Sequence, residues 1–491
     1  MANMAYGIDG HMAVNYSKAE VEAMQNYSHI RLFHMGTQAS RSPLIEAPTT
    51  TKGWSETCPL NNATGTRVCR GAFSAVCWFY GRNIYAALAA QGKARPIGLI
   101  ETNVGGTPIE HWSSPGALAQ CYSTSNTWDA TRGPKGESGL WNGMVTPLLN
   151  STIYGVVWYQ GEQNAGRPGG HSGYNCSFPA MISDWRSKWH AATGGLSDAV
   201  FPFGFVQLNG NGNGPSFTGD ATDDPVPERP CRSCNDAGGD YSNRWGFAGL
   251  RWAQTAGYGY VPNPKMPRTF MAVILDTPNP SGGVHSPFKQ PVGSCLARAG
   301  LEVAYGVKQE SLGPRVQGVR RLGPNLTITF IDVGSGSGIE VHNTTGFELL
   351  VPAEGPNAST TPGTWVNAKI VAHNANTVTI GAAPPTATRL RYEWYGNACG
   401  LSCFECAVYT AVTPLGNLSG EAPSAVHHGS AWGQACTFAT TTQPHTTKAS
   451  SSSSSFAAAH TARPCSTTPP ADTTDREVLC ASIRRRPRHP H

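Results

Sequence analysis

Over the first three hundred residues, short apolar runs alternate with stretches in which apolar side chains recur every three or four positions. Four runs, Pro96–Glu101, Tyr154–Gln160, Phe201–Leu208 and Thr269–Asp276, are apolar nearly throughout, which predicts strands buried on both faces. His29–Met35 predicts another. Between them, Phe73, Val76, Cys77, Tyr80, Ile84 and Leu88 fall at helical spacing. So do Phe178, Met181, Ile182, Trp185 and Trp189, with Ser177 as N-cap, and Val292, Cys295, Leu296, Ala299 and Val303, stopped by Gly306. Strands alternating with helices predict an α/β domain with a parallel sheet over residues 1–306.

The pattern then changes. Leu326–Phe330, Thr377–Ile380 and Arg389–Trp394 alternate with a period of two between Gly/Pro turns, which predicts a small β-sandwich over 307–436. Residues 437–491 are Thr- and Ser-rich with an Arg-rich end; this composition cannot bury a core, and the tail is expected to be disordered.

Composition narrows the function classes. The chain has 491 residues with a formal charge of +5. Lys448, Arg463, Arg476, Arg484, Arg485, Arg486 and Arg488 against Asp472, Asp475 and Glu477 place most of that excess in the tail, so the body makes no electrostatic case for nucleic acid. No apolar run approaches the roughly 18 residues of a membrane span. The 14 cysteines come with Asn-x-Ser/Thr sequons at Asn15, Asn26, Asn62, Asn150, Asn175, Asn325, Asn343, Asn357 and Asn417, which together favour a secreted, extracellular or lysosomal route. The start, Met1-Ala2-Asn3-Met4, has neither the basic nor the apolar region of a signal peptide.

Three loops carry candidate chemistry, each at the carboxyl end of an expected strand, where open α/β sheets bind ligands. Gln160-Gly161-Glu162-Gln163-Asn164 sets amides and a carboxylate directly after the Tyr154–Gln160 run. Gly105-Gly106 follows Glu101-Thr102-Asn103-Val104; paired glycines make an ordinary turn or let backbone amides approach an anion. His285, in Ser281–Lys289, is either an exposed loop histidine or a general base, since its ordinary pKa lies near neutrality. Cys231-x-x-Cys234 and Cys403-x-x-Cys406 are too far apart for a zinc ribbon; disulfides or local loops fit them better, with Cys399, Cys403 and Cys406 expected to contribute at least one bridge. No set of ligands at metal spacing stands out, and no cofactor is implied.

Several segments together resemble the sialate O-acetylesterases, a branch of the SGNH-type hydrolases. They include Phe73–Trp78, Pro96–Ile100, Gly105–Glu110, Leu140–Met144, Gly155–Glu162, Phe201–Gly204, Arg251–Thr255, Val261–Pro267 and Arg391–Trp394. They run collinearly over about residues 3–430, and their order is more specific than any one of them. The resemblance implies a flavodoxin-like sheet and an esterase that removes acetyl groups from sugar hydroxyls, typically on sialic acid. It implies a Ser nucleophile, a His base, an orienting acid and an oxyanion hole. Serine needs a base to attack an ester, and the tetrahedral oxyanion needs fixed donors. Carried over by position, His285 is the base, Asp276 the nearest upstream acid, and Gly105 with Gly106 the source of a backbone amide. Gln160, Gly161, Glu162 and Asn164 form the remaining block, with Asn164 favoured over Gln160 as side-chain donor.

The chain departs from this family at the nucleophile. The family run Gly-Gln-Ser-Asn-Met is met here by Ala2-Asn3-Met4, so Ala2 stands at the serine position. Gly282 and Gly283, not an acid, precede His285, and Ser286 replaces the family's Pro. The strand expected before Asn3 is absent. Losing an interior strand leaves two unpaired edges, which points to a recorded start that is too late. Without that strand, Ala2→Ser alone is not expected to restore turnover. The readings that follow are a sialate O-acetylesterase, inactive as written, an acetyl xylan or other polysaccharide esterase, or a catalytically dead glycan-binding protein.

Overall fold

The computed structural model describes residues 2–9, 17–122, 137–165, 170–210, 245–279, 283–308, 311, 313–334, 338–355, 363–394, 399 and 406–411, and the strands 427–430, 433–436 and 479–483. The elements that position the site are helix α1 (Ala2–Ala5), strands β1 (Ile30–His34) and β2 (Lys52–Glu56), helix α2 (Ala75–Ala90), strand β3 (Ile97–Thr102) and helix α3 (Ile109–Trp112). Strand β4 (Gly155–Trp158), helices α4 (Glu162–Ala165) and α5 (Gly170–Ala192), strand β5 (Phe203–Gln207), helix α6 (Trp245–Ala253), strand β6 (Thr269–Val273) and helix α7 (Lys289–Tyr305) follow. Among the described residues no helix is long and apolar enough to cross a membrane.

A single seven-stranded sheet organises these elements in the order β2, β1, β3, the strand Leu479–Ile483, β4, β5, β6. β1 runs parallel to β3, and β4, β5 and β6 run parallel to one another. β2 is antiparallel and closes one edge. The continuous apolar runs are explained by burial on both faces. Successive residues of β5 point to opposite sides. Phe203 and Phe205 meet Phe178 of α5 on one side, while Phe270, level with Gly204, stacks on Tyr80 of α2 on the other. α2 packs against α7 beneath that second face. Trp158, Trp185 and Trp189 are fully buried and touch in sequence; each such side chain contributes about 2–3 kcal/mol of burial.

Two expectations change here. The helix expected to begin at Ser177 starts at Gly170 and carries Pro179 inside it. The tail, expected to be disordered throughout, supplies the five-residue strand Leu479–Ile483, antiparallel to both β3 and β4. The reason is the unpaired backbone of the two flanking strands: a gap in the sheet's centre offers hydrogen bonds on both sides, and a short, largely apolar run satisfies them.

Among the described residues, the second region is built of β-structure. A four-stranded sheet (Arg315–Leu322, Asn325–Ile331, Ile370–His373, Thr377–Ile380), a three-stranded sheet (Phe347–Val351, Thr364–Ala368, Arg389–Tyr392) and the pair Gly338–Val341 with Val408–Ala411 share a core that includes Ile328, Phe330, Phe347, Leu349, Val378 and Val408. Val273, Leu275, Cys399, Cys406 and Tyr409 form a separate cluster that joins this region to the end of β6. Disulfides link Cys58 to Cys69, Cys121 to Cys176 and Cys399 to Cys406; Cys77 and Cys295 are also disulfide-bonded. Cys231, Cys234 and Cys403 lie outside the described residues.

Candidate active site

The loop after β4, the loop before α7 and the start of α7 converge on α1. Asn3 is fully buried, and its amide joins three segments. Nδ2 donates to Glu162 Oε1 at 2.7 Å and to the Val284 carbonyl at 2.8 Å, while Oδ1 accepts from Lys289 Nζ at 2.6 Å. Ala2, next to Asn3 in a helix whose Met4 is buried, is therefore held beside the Glu162 loop and the segment that carries His285. Through these contacts position 2 is anchored by its neighbour Asn3.

His285 is half-buried, and its ring meets the edge of Tyr6 at 5.4 Å. Partial burial acts to raise the Glu162 pKa, but the positive amino terminus, the Asn3 amide and His285 outweigh it, so the carboxyl is held below its ordinary value. A negative Glu162 near an imidazole favours the protonated form that a general base passes through.

The loop after β4 depends on Gly161. Its φ is +143°, and a Cβ there would lie 2.3 Å from Leu250 and 2.9 Å from Leu208. Gly106, at φ +65°, turns the chain after β3 and is exposed. A polar network ties the two loops together. Asn164 Oδ1 accepts from the Ile109 amide at 3.0 Å and from Gln160 Nε2 at 2.7 Å. Its Nδ2 reaches both oxygens of Glu110, at 3.2 and 3.1 Å. Gln160 Nε2 also donates to the Thr107 carbonyl at 3.2 Å, and its Oε1 accepts from Tyr174 at 3.0 Å. Tyr122 donates to Glu110 at 2.7 Å. In this geometry the Asn164 and Gln160 amides hold α3 and the Gly105-Gly106 turn against β4.

Asp276 departs furthest from expectation. Its side chain is buried, and neither oxygen has a hydrogen-bond partner of ordinary geometry. Burial pushes its pKa up to about 7, with its own backbone and the Tyr409 hydroxyl pulling back. Asp276 thus sits beside the Tyr409 hydroxyl of the β-region. A second His–carboxylate pair sits one strand over: His34 Nδ1 lies 3.3 Å from Glu101 Oε1, and Glu101 also accepts from the Ser74 amide and Asn103.

Sequence reasoning passed over Asn3, Glu110 and Lys289 as site residues. Lys289 had a readable signal: it lies three positions before Val292 and so falls on the buried stripe of α7, where a lysine is costly.

Comparison with known proteins agrees with this layout. A profile for "Carbohydrate esterase, sialic acid-specific acetylesterase" matches residues 37–193, and one for "Sialate O-acetylesterase C-terminal domain" matches residues 321–417. A solved carbohydrate acetylesterase from Xanthomonas citri shares the fold with a TM-score of 0.59 and 24% identity, over 84% of this chain and 78% of that one. Fold and profiles together define the class as an SGNH-like α/β protein of the carbohydrate esterase type with an appended β-region. Sialate O-acetylesterase of Mus musculus is 31% identical over 433 residues, covering 80% of this chain and 71% of its own length. The chain belongs to the sialate O-acetylesterase family. The Homo sapiens relative is 42% identical over 241 residues, a match that spans 48% of this chain and 40% of the relative.

Proposed function

We propose that this site is that of a carbohydrate O-acetylesterase whose ligand is an O-acetylated sialic acid, and that the chain with Ala2 binds this sugar without turning it over. The observation that carries the reading is the convergence on Asn3 of the three segments bearing position 2, Glu162 and His285. With a hydroxyl at position 2, His285 would take its proton as the oxygen attacks the acetyl carbonyl. Backbone amides at Gly105 and Gly106 would hold the tetrahedral oxyanion. His285 would then protonate the departing sugar oxygen, and water would release acetate by the same steps in reverse. Glu162 stabilises the imidazolium that forms. The disulfides support a secreted or lysosomal setting.

The catalytically silent glycan-binding reading is favoured by one residue, Ala2, since nothing else at that position carries a nucleophile. Hydrolysis assays on 4-nitrophenyl acetate and O-acetylated sialic acid separate the cases. The parent chain should bind the sugar with turnover near background. Ala2→Ser should raise turnover, and adding His285→Ala should abolish the gain. A parent chain that already hydrolyses the sugar would place the nucleophile elsewhere.

A further inference from the structure

None of the steps above uses Lys289, although it is the most deeply committed cation near the site. It opens α7, and it is completely buried. An ammonium in such a position is costly unless it is paired and hydrogen-bonded. Its Nζ donates to Asn3 Oδ1 at 2.6 Å and lies over the rings of Tyr6 and Tyr159, at 5.4 and 5.5 Å from their centres. Its counter-charge is Glu162, reached across the Asn3 amide.

We propose that Lys289 is a positioning residue of the active site: by fixing which way the Asn3 amide faces, it sets Glu162 and the Val284-His285 segment in place beside position 2. The inference rests on the esterase reading for its purpose but not for its geometry. The oxygen and nitrogen of an asparagine amide are nearly the same size, so sterics alone do not choose between the two orientations. An ammonium has three donors and no acceptor. It accepts only the orientation with Oδ1 towards it, which turns Nδ2 towards Glu162 Oε1 and the Val284 carbonyl. The flipped amide would set an oxygen against two acceptors and leave Glu162 without its donor. The effect reaches His285 by two routes, through the carbonyl of the preceding residue and through Tyr6, whose ring lies under the ammonium and against the imidazole. Burial lowers the Lys289 pKa to about 7, partly offset by Glu162. The charged or titratable groups facing this cluster are thus Glu162, His285, the amino terminus, Tyr6 and Tyr159.

The test reads His285 directly and needs no turnover. Diethyl pyrocarbonate modifies only the unprotonated imidazole, so the pH dependence of His285 modification in the full chain, followed by peptide mass spectrometry, gives its titration midpoint. Lys289→Met keeps the length of the side chain but removes charge and donor. Glu162 then loses one of the positive charges near it and keeps His285 and the amino terminus, and the His285 midpoint should rise by about 0.5 or more in pH, as expected for a change in a neighbouring charge. In an Asn3→Leu background the same substitution should give a smaller rise, because the link through the amide is already cut and only the through-space loss of charge remains. If Lys289→Met fails to unfold cooperatively, Lys289→Gln replaces it with the same expected direction. A folded variant whose His285 profile superimposes on that of the parent overturns the proposal, as does an effect in the Asn3→Leu background as large as in the parent. A protein that shows the expected His285 profiles but never hydrolyses an O-acetyl sugar, even as Ala2→Ser, refutes the esterase reading and leaves the positioning role standing.

Discussion

Replacing Asp276 by Asn should stabilise the protein, and more so as the pH rises. The Asp276 carboxyl is buried and its pKa is pushed from 3.8 to about 7. The folded state therefore keeps a proton that the unfolded chain has released between pH 3.8 and about 7. The stability this group contributes is fully present below its unfolded pKa and is lost as pH rises through the folded value. A difference of about three in pKa corresponds to about 4 kcal/mol at pH 8. Asn does not titrate, so it escapes that loss, but its amide meets the same shortage of partners, at about 1–3 kcal/mol. The net gain at pH 8 should be about 1–3 kcal/mol, shrinking towards zero or reversing near pH 4. Urea unfolding of parent and variant at matched pH, followed by tryptophan fluorescence, reads this difference. Other shifted groups, Glu393 raised to about 8 and Lys289 lowered to about 7, are common to both proteins and cancel. The site assignment is tested in the same variant. An acid that orients the catalytic histidine is worth about 10⁴ in turnover, whereas a carboxyl facing Tyr409 should leave the activity of Ala2→Ser within a few-fold. A gain that does not depend on pH, a destabilised variant at pH 8, or a collapse of turnover would each refute the reasoning.

Ala2→Ser should raise hydrolysis of O-acetylated sialic acid by at least about a hundredfold over the parent, the scale of a positioned acid–base partner acting on a nucleophile; no gain in a folded variant, measured by acetate release, would count against position 2. Gly161→Ala should lose about 1–3 kcal/mol by overpacking against Leu250 and Leu208, with added strain from its positive φ, read as a lower urea midpoint. Arg391 forms a two-pronged pair with buried Glu348 at 2.8 and 3.1 Å and lies over Trp365 at 4.1 Å; Arg391→Met should cost about 3–5 kcal/mol by stranding the carboxylate, and Glu348→Leu in that background should recover part of it in thermal melts.

The sequence by itself determined the strand runs, the helical stripes and the switch to β-structure, because hydrophobic periodicity follows from burial on one face or two. It also marked Gly161, Glu162 and His285 as residues at strand ends, where α/β sheets bind ligands. What it could not decide were contacts between residues far apart in the chain. Asp276 is near His285 in sequence, and the fold sets it beside Tyr409, while Tyr6 just after α1 and Glu162 beyond the end of β4 come to His285 from distant parts of the chain. The neighbours of Asn164 and Gln160 were equally out of reach of the sequence, because Glu110, Thr107 and Tyr174 arrive from other elements. The tail strand shows the same limit. Composition describes what a segment can bury alone, whereas Leu479–Ile483 is ordered by two strand edges that exist only once the sheet has formed. Lys289 belongs to both levels. Its place on the stripe of α7 was legible, but the amide that gives its burial a purpose lies 286 positions away.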